Sequence, residues 1–83
     1  MKNLDPKSPH YQEFCTLSTS LRERIVRLRN ERNLQQEEMM SHGISVRQYQ
    51  RIESGDTQNV SLATLFRIAK ALDISLSDLL KGL

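Results

Sequence analysis

Tryptophan is absent from this sequence, cysteine occurs once, proline twice and glycine three times, and the apolar runs are only a few residues long. Each shortage excludes something. A lone Cys15 cannot close an internal disulfide, and with His10 and His42 as the only other soft ligands a structural zinc would lack a fourth donor, so no metal is expected. Few glycines and prolines leave little turn punctuation, which disfavours a sandwich of short strands. An apolar share of 37% argues against a disordered chain. The apolar runs are broken by Arg, Asp or Ser and offer neither a membrane span nor a secretory leader, so the expectation is a cytoplasmic protein. At 83 residues there is room for one small domain and not for a second, catalytic one. No glycine-rich phosphate loop, HExxH or nucleophile elbow occurs, and Cys15 is better read as a packing residue than as a reactive partner of His10. No catalytic residue and no cofactor is therefore expected.

The charge that is present is unevenly placed. Residues 21–51 carry seven arginines (22, 24, 27, 29, 32, 47 and 51) against Glu23, Glu31, Glu37 and Glu38, whereas residues 52–83 carry three bases against four acids. A basic surplus in the first half of the chain suits a polyanionic partner on one face, although charge runs are usually solvated surface.

The periodicity is helical throughout, giving an all-α fold. Residues 1–17 read as an extension, partly flexible, with a short helix capped by Ser8 and Pro9 and running through Leu17. Residues 18–83 read as the domain proper. Ser20-Leu21-Arg22-Glu23 fits a capping box, so a helix is predicted from about 21 to 32, with Asn33 ending it as a left-handed residue. A second helix follows over about 35–41, with Met39 and Met40 on its buried side and Gly43 closing it. Ser45 caps a third, running to about Ser54, in which Tyr49 and Ile52 face inward and Arg47, Gln50, Arg51 and Ser54 face outward. Ser61 caps a fourth with Leu62, Leu65, Ile68, Ala69 and Leu72 as its apolar stripe. A fifth begins at Ser75 or Ser77. Two short helices joined by a tight glycine-containing turn make a helix-turn-helix arrangement, which also occurs in proteins that bind no DNA.

From Leu21 to Leu80 the order of residues resembles the lambda-repressor-like (Cro and phage-repressor, or XRE) helix-turn-helix family. The stretches that carry the resemblance are Leu21-Arg-Glu-Arg-Ile-Val-Arg-Leu-Arg29, Leu34-Gln-Gln-Glu-Glu-Met39, Ile44-Ser-Val-Arg-Gln-Tyr-Gln-Arg-Ile-Glu-Ser-Gly55, Ser61-Leu-Ala-Thr-Leu-Phe-Arg-Ile-Ala-Lys-Ala-Leu72 and Ile74-Ser-Leu-Ser-Asp-Leu-Leu80. The resemblance implies a compact five-helix DNA-binding domain. There are three departures from the family pattern. One residue is missing between Met39-Met40 and Gly43, the loop from Asp56 to Asn59 has no positive charge, and Asp73 stands where a glycine is common.

The resemblance places Val46, Arg47 and Arg51 at base-reading positions, with Gln50 beside them. Arg47 and Arg51, one turn apart, could each fork to a guanine, and Val46 could meet a thymine methyl. Gln36 is implied as an anchor on the phosphate backbone, with Ser45, Gln48 and Asn59 as further phosphate candidates. Arg29 and Glu53 match a structural ion pair of the family. A single reading head needs a partner to span two half-sites roughly 34 Å apart, so a homodimer on an inverted-repeat operator of double-stranded DNA is expected, with Leu76, Leu79, Leu80 and Leu83 as its seam. No small-molecule effector domain is evident. The expected function is transcriptional regulation, as a phage-type repressor or restriction-modification controller. The alternatives are an antitoxin and a helical interaction module without DNA activity.

Overall fold

A computed structural model of the chain describes residues 4–83. Helix α1 spans Tyr11–Glu31, a 3₁₀ helix Gln36–His42, α2 Val46–Ser54, α3 Leu62–Ala71 and α4 Leu76–Leu80, and no strand occurs among the described residues.

The helices expected before Leu17 and after Ser20 are a single 21-residue helix. Nothing in residues 11–31 breaks it, and Leu17, Leu21, Ile25 and Leu28 run along one face at spacings of four, four and three. Burial of Ile25, with Leu21 and Leu28 packed partly against the core, outweighs the local capping chemistry of Ser20, which sits mid-helix. The division drawn at residues 17 and 18 therefore falls within α1. Ser8 does not cap the helix with its side chain. His10, at φ 64°, precedes the first turn, and the Ser8 carbonyl accepts from the Tyr11 amide at 3.3 Å. Asn33 ends the helix in the left-handed region at φ 55°, with the Leu34 amide bonded back to the Arg29 carbonyl.

The second helix is 3₁₀ rather than α, which answers the missing residue. Seven residues at a rise of about 2.0 Å span roughly 14 Å, where an α-helix would span roughly 10 Å, so a shorter segment still reaches the turn. Its start is fastened by the Glu38 carboxylate, which accepts from the Gln35 amide at 3.1 Å. Consecutive residues on a 3₁₀ helix lie about 120° apart, so only one methionine can face inward. Met39 is buried, and Met40 is 61% exposed, contrary to the expectation that both would pack.

Helices α2, α3 and α4 start alike. Ser45, Ser61 and Ser75 each accept, through Oγ, the amide hydrogen of the residue three on, at 3.0–3.1 Å. Gly43 and Gly55 close the flanking turns at φ 85° and 84°. Asp73 takes φ 58° and does the work of the glycine it replaces. The core draws on every element: Ile25 from α1, Met39 from the 3₁₀ helix, Ile44 from the turn, Tyr49 and Ile52 from α2, Ile68 and Ala69 from α3, Leu72 at its end and Leu79 from α4. Leu62, expected in the α3 stripe, is 69% exposed, because it opens the first turn at the edge of that stripe. Leu62, Phe66 and Lys70 share the outer face, with the Lys70 ammonium 5.4 Å above the Phe66 ring. Leu79, expected at a subunit seam, lies wholly inside the core, and Arg24 donates to its carbonyl at 3.2 Å.

Candidate nucleic-acid interface

The outer face of α2 follows from its inner one. With Tyr49 and Ile52 locked in the core, a step of about 100° per residue leaves Arg47, Gln50, Arg51 and Ser54 pointing away from it, and all four are exposed. Val46, in the first turn, is half-buried. Neither Arg47 nor Arg51 has a carboxylate partner among the described residues. Both flank an open recess of about 440 Å³ between α2 and the segment leading into α3, whose wall includes Ser45, Gln48, Asn59 and Ser61. Thr64, the one buried polar residue among the described residues, accepts from Ser61 Oγ at 2.9 Å and stands 3.5 Å from the Gln48 side-chain amide nitrogen. Ser61 and Thr64 thus belong to the recess, although the sequence signal of Ser61 was only that of a helix cap and Thr64 gave none.

A chain of polar contacts runs from α1 to this surface. Arg29 Nε lies 2.5 Å from Glu53 Oε1 and Nη2 lies 3.2 Å from Oε2, with the two side chains only 14% and 10% exposed. Arg29 Nη1 also donates to the Leu34 carbonyl at 2.7 Å, so one guanidinium joins α1, the turn after it and α2. Burial alone would raise the Glu53 carboxyl, but the bonds from Arg29 and Gln36, with the Arg29 charge, outweigh it and hold Glu53 below the usual carboxylate range. The Tyr49 phenol is pushed strongly upward, first by burial and then by the Glu53 charge. From Glu53 the chain continues outward: Gln36 Nε2 donates to Glu53 Oε2 at 2.8 Å, and Gln50 Nε2 donates to Gln36 Oε1 at 3.1 Å.

Both turns bounding α2 are roofed by arginines from other helices. A Cβ at Gly43 would lie 3.4 Å from Arg67 Nε, and one at Gly55 3.3 Å from Arg22 Nε. Arg22 also reaches the Glu53 carbonyl, at 3.5 Å. Half-buried Cys15 accepts weakly from Gln58, at 3.7 Å, tying the loop after α2 to the first half of α1. These partners lie 24–43 residues apart, and no local pattern announces them. Of the seam candidates, Leu80 and Leu83 are 37% and 38% exposed, and Leu76 packs partly against the core.

The stacked short helices with an exposed, basic second member define a helix-turn-helix protein. A family model described as helix-turn-helix matches residues 25–79, and the chain belongs to that family, the Cro and phage-repressor type. It is a DNA-binding regulator of a family generally without enzymatic activity. No curated protein and no solved structure matches it. None of the described helices is long and apolar enough to cross a membrane.

Proposed function

We propose that the protein is a sequence-specific transcriptional regulator that occupies an inverted-repeat operator as a homodimer, in the manner of a phage-type repressor or restriction-modification controller. The observation that carries this is the pair of exposed arginines on α2, one turn apart and without acidic partners among the described residues, beside an open recess. A guanidinium with no carboxylate to answer is available to guanine O6 and N7. In this reading Arg47, Arg51, Val46 and Gln50 meet base edges, while Gln36, Ser45, Gln48 and Asn59 line the path of the phosphates. Exposed Leu17, Leu80 and Leu83 offer an apolar seam, without Leu79.

Selection from a randomised duplex library at about 150 mM salt tests the proposal, since weak non-specific attraction is screened there. Recovery of an inverted repeat with half-sites roughly 34 Å apart supports a dimeric reader. No enrichment would favour a second reading, an antitoxin or interaction module whose protein partner covers the exposed Leu62 and Phe66.

A further inference from the structure

Gln36 and Gln50 face each other between the 3₁₀ helix and α2, and the direction of their hydrogen bonds is dictated from the buried end. Glu53, paired with Arg29, can only accept. The Gln36 amide therefore turns its NH2 group to Glu53, at 2.8 Å, and leaves Oε1 for α2. That oxygen can only accept in turn, so Gln50 points its own NH2 group at it, at 3.1 Å. Flipping either amide would set oxygen against oxygen.

Gln50 thus emerges on the exposed face of α2 with one N–H already committed, keeping its carbonyl oxygen and a single N–H. In the major groove guanine shows two acceptors, N7 and O6, whereas adenine shows the acceptor N7 and the donor N6. An untethered glutamine can give both hydrogens to guanine or make the mixed pair with adenine. The tethered one can make only the mixed pair. We infer that Gln36, oriented by Glu53, is a positioning residue that sets Gln50 to read adenine over guanine. This rests on the regulator reading, in which α2 lies in the major groove.

The test is the same library selection run with the wild type, Gln50→Ala and Gln36→Met. Methionine keeps the length of Gln36 and removes both the carbonyl oxygen and the NH2 of its amide at a half-buried site, so the fold is retained, and thermal melting checks that it is. Gln50→Ala identifies the half-site position concerned by losing its preference there alone. At that position the wild type is expected to favour adenine over guanine by roughly tenfold, and Gln36→Met to reduce this to about twofold or less, with the preferences set by Arg47 and Arg51 retained. Uniform weakening by Gln36→Met with the adenine preference intact would make Gln36 a phosphate anchor only and overturn the inference, as would a Gln50→Ala selection identical to wild type. Both results leave the regulator reading standing. A wild type that enriches no sequence removes that reading, and the inference with it.

Discussion

Replacing Arg29 by methionine strips the cation from a carboxylate that is 10% exposed while keeping most of the aliphatic bulk. Glu53 then keeps Gln36 as a donor but loses both guanidinium bonds. Breaking a buried pair from one side costs about 3–5 kcal/mol, because the remaining charge stays desolvated. For an 83-residue chain the total stability is on the order of 4–12 kcal/mol, so the loss is a large fraction of it. At about 4–8 °C per kcal/mol for a domain of this size, a 3 kcal/mol loss lowers Tm by roughly 12–24 °C. The double variant Arg29→Met with Glu53→Leu removes both charges, and it is expected to recover at least about 2 kcal/mol relative to the sum of the singles. Thermal melts followed by circular dichroism at neutral pH measure the cycle. Singles costing under about 1 kcal/mol, as for an exposed pair, or a double variant equal to the sum, would refute the claim that this pair is the buried joint between α1 and α2.

Arg47→Ala and Arg51→Ala should each cost about 1–3 kcal/mol of operator binding and relax one base position, read by titration against single-base operator variants; equal weakening on all sequences would count against base contact. Because Glu53 titrates lower in the folded chain than in the unfolded one, its stabilisation is present above its unfolded value of about 4.3 and is lost as pH falls through the lower folded value. Wild-type Tm should therefore fall more steeply than that of Glu53→Gln below about pH 5, and parallel slopes would argue against the shift. Gly55→Ala forces a side chain to φ 84° and against Arg22, so the urea midpoint should drop by the equivalent of about 1–2 kcal/mol; an unchanged midpoint would show that the turn relaxes freely. Leu80→Lys with Leu83→Lys should shift sedimentation toward monomer without unfolding the chain, whereas Leu79→Ala should cost about 2–5 kcal/mol of stability.

What could be read in advance is what short-range chemistry decides. Ser45, Ser61 and Ser75 cap helices because a hydroxyl three residues before an amide needs no tertiary help. Gly55 stops α2 for the same local reason. The Ser20 capping box misled because it too is local, and the packing of Leu21, Ile25 and Leu28 overrides it. Leu79 and Leu80 are adjacent leucines, and only the packing of α4 on α1 and α3 decides that the first is core and the second surface. Met39 and Met40 pose the same problem on a helix whose 3₁₀ winding no composition signals. At the candidate interface the outward arginines followed from helical phase, whereas the pairing of Arg29 with Glu53 was legible only through family resemblance. The Gln36–Gln50 contact was not legible at all, since it depends on the spacing of two helices across a turn.

Arginines lie over the turns at Gly43 and Gly55 on either side of α2, Arg22 reaches the Glu53 carbonyl near its end, and Tyr49 and Ile52 moor its underside. Residues 47 and 51 lie between those fixtures and take no part in them, and Gln50 touches the frame only through Gln36. The reading helix is in effect a replaceable cassette: its outward letters can be rewritten, by drift or by design, to address a new operator while the frame that presents them stays as it is.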